Sequence, residues 1–171
     1  VQRLDAHLGD LRTASEDDLD ASRAATRALL AEVMEEVGLA LAPLGEEEVE
    51  LVHRAIAGSL ARTESALGLM ARMAGDHDDA RGHLVRALHL ATLVDDVGAE
   101  RKAMRRLGVL ALHAGNLERA YDLCSTAAEQ PAKEALDALP SLVLAGISGR
   151  LLGHEEDAER GITRAAKVLA E

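Results

Sequence analysis

The sequence predicts an all-α fold, and its composition leads to that class. Phenylalanine and tryptophan are absent and Tyr121 is the one aromatic residue. Residues branched at Cβ are sparse, which disfavours a sheet. Alanine and leucine dominate the hydrophobic 48% of the chain, and both rank high in helix propensity. With 171 residues, the chain is long enough to bury a core. We therefore expect helices that pack closely through small side chains.

A repeated spacing of glycine and alanine indicates three copies of one helix pair. In each copy two glycines lie seven residues apart, and alanines follow five and twelve residues after the second glycine. The three sets are Gly68, Gly75, Ala80 and Ala87; Gly108, Gly115, Ala120 and Ala127; and Gly146, Gly153, Ala158 and Ala165. The period is 40 residues from Gly75 to Gly115 and 38 residues from Gly115 to Gly153. Agreement at four positions in three copies makes the repeat specific.

Each position of the repeat has a physical reason. The second glycine suits the left-handed residue that ends a helix. Asp76 and Asn116 follow it directly, and their side chains can cap the next helix. The first glycine and the alanines are expected where two helices approach closely, because a larger side chain would separate the backbones. Cys124 lies between two of these alanines, so we expect a small buried residue there and not a nucleophile.

These spacings resemble the tetratricopeptide repeat, with helix pairs at about 61–94, 101–134 and 139–171. The period near 40 is similar to the longer-helix variety in bacterial signalling proteins and in sensor regions of transcriptional regulators. The sequence departs from the family at Glu64, where a large apolar residue is expected, and at Pro131, which is displaced from the family's proline position. The resemblance implies a right-handed α-solenoid of antiparallel helix pairs.

Residues 1–60 fit this repeat poorly, and we predict a degenerate unit or a cap that continues into the repeats as one domain. Ser15 is expected to cap a long helix that reaches about Ala42, with Asp18 completing a capping box. Pro43 to Gly45 should form a turn, followed by a shorter helix that ends near Ala57. This segment has 13 acidic and 5 basic residues, so it carries −8 of the net charge of −11.

The family resemblance also implies a binding groove, because the first helix of each pair lines the concave face of such solenoids. The residues at the corresponding positions are Arg62, Ser65, Leu69, Arg72 and Met73; Lys102, Arg105, Val109, Leu112 and His113; and Pro140, Val143, Ile147, Arg150 and Leu151. Basic and apolar residues alternate in this set. In an acidic protein, that mixture favours an acidic, partly apolar peptide or partner segment. The alternative is a solvated helix face whose cations pair with neighbouring acids.

No catalytic, metal or cofactor site is predicted. None of the seven histidines forms an i, i+4 pair, and His77, His83 and His89 are six residues apart, so they do not converge as zinc ligands would. The net charge of −11 repels phosphate backbones and anionic lipids, which counts against nucleic acid and membrane as partners. No apolar run approaches the ~20 residues of a membrane span. The single cysteine agrees with a cytoplasmic location.

The leading prediction is therefore a non-catalytic protein–protein interaction or regulatory scaffold. The alternative is a ligand- or partner-sensing domain of a larger transcriptional or signalling regulator. In that case the cluster Arg101, Lys102, Arg105 and Arg106 would be a candidate DNA contact, although no helix-turn-helix pattern accompanies it. A homodimer, formed either through an apolar end of the last helix near residues 155–170 or through the long helix near 16–42, is a third hypothesis.

Overall fold

The computed structural model describes residues 46–132 and 134–170, together with five isolated residues between 24 and 35. These residues contain no strand, and the all-α class is confirmed for them. The helices are α1 (Glu46–Met73), α2 (His77–Leu93), α3 (Val97–His113), α4 (Leu117–Glu129), α5 (Ala135–Leu152) and α6 (Glu155–Ala170). A first compact unit ends at Asp95 and a second begins at Asp96. In the first unit α1 packs on α2, and in the second each of α3 to α6 packs on the next helix.

The predicted N-terminal helix lies almost entirely outside the described residues, as do its cap at Ser15 and the turn at 43–45. Five residues of that stretch are described as helical and exposed: Ala24, Ala28, Ala31, Glu32 and Glu35. The helix expected to end near Ala57 instead continues to Met73, so that prediction was wrong. Its sequence holds no proline, and a single interior glycine such as Gly58 lowers helix stability without ending the helix.

The turns between paired helices follow the predicted chemistry. Gly75, Gly115 and Gly153 have φ angles of +80°, +72° and +81°, a region that glycine enters without a steric penalty. Asp76 and Asn116 each accept a hydrogen bond of 3.1 Å from the backbone N–H three residues later. The side-chain caps therefore satisfy amide groups that the first turn of a helix leaves without partners.

The first glycine of each repeat lies against the same two positions of the following helix. A Cβ atom added there would approach the carbonyl oxygen of the first repeat alanine and the side chain four residues after it. The distances are 3.1 Å to Ala80 and 2.7 Å to Leu84 from Gly68, 3.4 Å to Ala120 and 2.4 Å to Cys124 from Gly108, and 3.5 Å to Ala158 and 3.1 Å to Ile162 from Gly146. The predicted close approach is thus confirmed in all three helix pairs.

The remaining repeat positions form the centre of the packing. The six repeat alanines are all buried, with exposed fractions of 5% or less. Cys124 is buried among them, as predicted. Burial raises the pKa of its thiol to about 11, an effect that the nearby Arg105 guanidinium opposes. The thiol is therefore protonated at neutral pH, which suits a core residue and not a nucleophile.

Helix α5 is more apolar than predicted. Its 18 residues are long and apolar enough to cross a membrane by length and composition alone, and 39% of them are buried within the protein. The helix packs against α4 and α6 and also contacts α3. A helix with neighbours on several sides needs apolar residues on each face that packs, and these contacts account for the buried apolar residues of α5.

Tyr121 links α4 to α6 across the surface of α5. Its hydroxyl donates a hydrogen bond of 2.8 Å to Asp157 Oδ2, and Arg160 forms an ion pair with the same carboxylate. The ring lies edge-on to His154, with centroids 5.2 Å apart. It also covers Gly149, where an added Cβ would lie 3.1 Å from the ring. The hydrogen bonds from Tyr121 and Arg160 hold the pKa of Asp157 below its usual value.

We expect Tyr121→Phe to raise the pKa of Asp157, because the variant removes the hydrogen bond and keeps the ring. The pKa of Asp157 is lower in the folded protein than in the unfolded chain, where it is about 3.9. The carboxylate therefore stabilises the fold above about pH 3.9. This stabilisation is lost as the pH falls through the pKa of the folded protein. The stability difference between wild type and variant should therefore shrink below about pH 4. A carbon-13 NMR titration of the carboxyl measures the shift, and an unchanged pKa would contradict the assignment.

Candidate functional site

The predicted groove residues fall into two sets, one in each unit. The set in the first unit lies on α1, and its members differ in exposure. Arg62 and Met73 are exposed, Leu69 and Arg72 are half-buried, and Ser65 is buried. Ser65 was expected to be exposed. It shares one face of α1 with Ala61 and Gly68, four residues before and three after it, and all three are buried.

The set in the second unit lies on α3 and α5, two helices that contact each other directly. On α3, Lys102, Arg105, Val109 and Leu112 are half-buried and His113 is exposed. The members on α5 are all exposed: Pro140, Val143, Ile147, Arg150 and Leu151. The structure thus places both basic and apolar members of the predicted groove on neighbouring helices of one unit.

A cleft of about 280 Å³ lies where the amino-terminal halves of α3 and α5 meet. We call it the α3–α5 cleft. Its lining residues are Gly98, Arg101, Lys102, Arg105, Leu136, Asp137, Pro140 and Ser141. Lys102, Arg105 and Pro140 belong to the predicted groove, and the other lining residues were missed in that prediction. Most of the missed residues lie about one turn towards the amino terminus, on the same faces of the two helices, and that helical spacing is the signal that could have identified them.

Arg101 has a structural role at one wall of the cleft. Its side chain is 8% exposed. Nη1 donates a hydrogen bond of 2.8 Å to the Pro131 carbonyl oxygen, and Nη2 lies 3.3 Å from Asp137 Oδ2. The guanidinium therefore ties the segment between α4 and α5 to α3. A buried, bonded arginine does not suit the DNA contact that the basic cluster suggested.

Arg105 is a cation with no counterion among the described residues. No carboxylate of the described residues lies within ion-pair distance of it, and its guanidinium is half-buried. Burial lowers its pKa, the nearby Cys124 opposes that effect, and Arg101 lowers the pKa further. A partly desolvated positive charge beside a second one is costly to leave without an anion.

Ser141 lines the cleft and carries a buried hydroxyl without a partner among the described residues. The residue is fully buried, and its Oγ has no hydrogen-bond partner among the described residues. Pro140 precedes it inside α5 and lacks the N–H that would normally bond the carbonyl oxygen of Leu136. A buried polar atom without a partner costs about 1–3 kcal/mol, so this hydroxyl lowers the stability of the fold.

An exposed apolar row runs along α5 from the cleft. Leu136, Val143, Ile147 and Leu151 are spaced by seven, four and four residues, so they share one face of the helix. Their exposed fractions are 57%, 41%, 44% and 59%. Contiguous exposed apolar residues beside polar ones are typical of interaction surfaces.

The first unit contains a separate polar cluster that explains the departure at Glu64 from the repeat pattern. Nδ1 of the buried His83 lies 2.6 Å from Glu64 Oε2, and Arg86 Nε donates to the same oxygen at 3.0 Å. Nε2 of His83 lies 3.5 Å from Asp79. The carboxylate thus supplies a partner for a buried histidine, which is a packing role. Over the described residues, no group of histidine, cysteine and acidic side chains is arranged to hold a metal ion.

Comparison with known proteins identifies a similar fold and no family. No protein-family model matches the chain, and no curated protein sequence matches it. The chain is similar to the crystal structure of BtubC (BKLC) from P. vanneervenii, with a TM-score of 0.59 and 17% sequence identity. The match covers 91% of this chain and 65% of that one, so this chain spans less than two thirds of its length. At this identity the likeness concerns the fold alone.

Proposed function

We propose that this protein is a non-catalytic interaction scaffold that binds an acidic, partly apolar segment of a partner protein along α3 and α5. The observation that carries the proposal is the placement of Arg105, a cation with no carboxylate partner among the described residues, on a helix in contact with the one that bears the exposed row from Val143 to Leu151. Covering that row would remove apolar surface from water, which contributes roughly 25 cal/mol per Å². The positive charge of Arg105 would favour a segment with an acidic residue and would fix the alignment of that segment along the two helices.

We further propose that the helix pairs belong to a right-handed solenoid of the tetratricopeptide type. The proposal is supported by the glycine contacts at Gly68, Gly108 and Gly146, which occupy equivalent positions in three successive pairs. It is also supported by the direct contact between α3 and α5, since the first helices of adjacent pairs are neighbours in such arrays. Peptide recognition in a groove of this kind would follow the general pattern of apolar anchors flanked by charged contacts.

The test begins with selection of random 15-residue peptides displayed on phage, using the full chain as bait. We expect the selected peptides to combine acidic with apolar residues. Val143→Asp should weaken their binding by about tenfold or more, or at least ~1.4 kcal/mol, because it places a negative charge in the apolar row. The matched control is Val85→Asp on α2, since the exposed fractions of the two valines are 41% and 39%.

Isothermal titration calorimetry of the selected peptides with wild type and both variants supplies the measurement. Val85→Asp should bind as wild type does. Equal losses in the two variants, or binding that neither variant disturbs, would place the peptide site elsewhere and contradict the proposal. Failure to enrich any peptide would also count against it.

A further inference from the structure

One side chain ties together the two helices of the proposed binding surface. Arg101 lies in the second turn of α3. Its Nη1 donates a hydrogen bond of 2.8 Å to the carbonyl oxygen of Pro131, in the segment before α5. Its Nη2 lies 3.3 Å from Oδ2 of Asp137, in the first turn of α5. Because both nitrogens belong to one planar guanidinium, the two acceptors are held in a fixed direction from α3.

Asp137 is itself held by the start of α5. Its Oδ2 also accepts a hydrogen bond of 3.4 Å from the backbone N–H of Glu134. The carboxylate is thus bonded both to α3 and to the main chain at the beginning of α5. The side chain of Arg101 is 8% exposed, so water and salt screen the ion pair less than they screen a surface pair. A displacement of the guanidinium is therefore passed on to α5 as a whole.

Side-chain packing alone does not fix the spacing of α3 and α5 at this end. α5 packs more extensively on α4 and α6 than on α3. The α3–α5 cleft, about 280 Å³ in volume, lies between the amino-terminal halves of the two helices. Close packing holds elements in one arrangement because it leaves no space for movement, and a cleft of this size leaves space. The bonds of Arg101 bridge the gap at one wall of the cleft.

The tie lies near both parts of the proposed binding surface. On α3, Arg105 follows Arg101 by about one helical turn. On α5, Val143 follows Asp137 by six residues, which is about 9 Å along the helix axis at 1.5 Å per residue. The position of α5 along α3 therefore sets the distance between the cation on α3 and the apolar row on α5.

We infer that Arg101 is a positioning residue of the proposed binding surface and determines one part of its specificity. It holds α5 at one place along α3 and so fixes the distance from Arg105 to the exposed row from Val143 to Leu151. That distance selects partner segments by the number of residues between their acidic and their apolar side chains. The guanidinium of Arg101 is bonded within the chain and acts through α5. This inference rests on the proposed function, and it adds what sets the spacing that the surface recognises.

The probes are capped 20-residue peptides of alanine and glutamine that carry one glutamate and three leucines. The leucines keep a constant spacing of four residues, and the glutamate is placed from two to eight residues before the first leucine. A mirrored set places the glutamate after the last leucine. Isothermal titration calorimetry with the full chain gives the affinity for each spacing. For the wild type we expect one or two adjacent spacings to bind about tenfold more tightly than the others.

Two variants loosen the tie by different chemistry. Arg101→Lys keeps the positive charge and removes the guanidinium fork, and Asp137→Asn keeps the shape and removes the negative charge. In both variants we expect the tenfold preference among spacings to fall to about threefold or less, because α5 can then take several positions along α3.

Two further variants are controls. Arg119→Lys makes the same chemical change at an exposed arginine of α4 and should retain the wild-type preference. Gly153→Ala controls for lost stability in the same unit, because it forces alanine into a left-handed conformation with a φ of +81°. It should lower the thermal midpoint by a few degrees, about what the loss of a small stabilising contact causes, and should also retain the preference.

Failure of this inference can be told apart from failure of the proposed function. If Arg101→Lys and Asp137→Asn keep the wild-type preference, the inference is wrong and the scaffold proposal stands, since the peptides still bind. Equal binding of all spacings to the wild type would also overturn the inference alone. The same holds if Gly153→Ala loses the preference to the same extent, because lower stability would then explain the result. If no peptide of the series binds the wild type and the phage selection enriches none, the proposed function fails and the inference fails with it.

Discussion

Gly68→Ala is expected to destabilise the first helix pair by up to about 2 kcal/mol, although alanine is the better helix former. The added Cβ would lie 2.7 Å from Leu84 Cγ, 2.9 Å from its Cδ2 and 3.1 Å from the carbonyl oxygen of Ala80. Leu84 is fully buried and cannot turn away into solvent. Overpacking of this kind costs about 1–3 kcal/mol. The contact with a backbone atom requires the helices themselves to separate, so the cost exceeds the ~1 kcal/mol gained in helix propensity.

The matched control lies in the same helix pair. Gly82 is an interior residue of α2, and a Cβ added there would meet only the flexible end of Arg86, at 3.6 Å. Gly82→Ala should therefore stabilise the protein by roughly 0.5–1 kcal/mol, because it gains helix propensity without a collision. The two substitutions make the same chemical change and are expected to have opposite signs.

Urea denaturation followed by circular dichroism at 222 nm measures both variants. The double variant Gly68→Ala/Leu84→Ala tests the physical cause, since truncation of Leu84 removes the side chain that the new methyl group meets. We expect the two substitutions to be less than additive, with a coupling of about 0.5–3 kcal/mol. Stabilisation by Gly68→Ala as large as that by Gly82→Ala would show that the close approach is not a constraint on this fold.

The positions of the glycines and alanines at the helix contacts could be predicted from the sequence, because they depend only on residue size. Wherever two helices touch at Gly68, Gly108 or Gly146, the need for a small residue is local and recurs with the period of the repeat. The same reasoning failed at Ser65. Its position in the repeat suggested exposure, but its burial depends on which face of α1 packs, and α1 extends from Glu46 beyond the limits of a single repeat helix.

The cleft could not have been predicted in the same way. The sequence shows four basic residues close together between 101 and 106, which indicates a basic patch. It does not show that Arg101 donates to the Pro131 carbonyl or that Arg105 has no acidic partner among the described residues. It also does not show that the hydroxyl of Ser141 is buried without a partner. These facts depend on how α5 packs along α3. That packing is determined by contacts between residues about 30 to 40 positions apart in the sequence.

Arg101→Met is expected to destabilise the second unit by about 2 kcal/mol, since hydrogen bonds to charged groups contribute roughly 1.5–3 kcal/mol. Methionine keeps much of the apolar stem of the arginine and removes the two bonds that its guanidinium makes to Pro131 and Asp137. Arg101→Lys should recover only part of the loss, because one ammonium does not reproduce the fixed geometry of the guanidinium fork. Urea denaturation gives the change in the free energy of unfolding.

Arg105→Met, one turn along the same helix, provides the contrasting result. Arg105 has no acidic partner among the described residues, so its replacement removes a desolvated charge and should leave stability unchanged or slightly higher. If Arg105→Met instead destabilised the unit as strongly as Arg101→Met, both arginines would have structural roles.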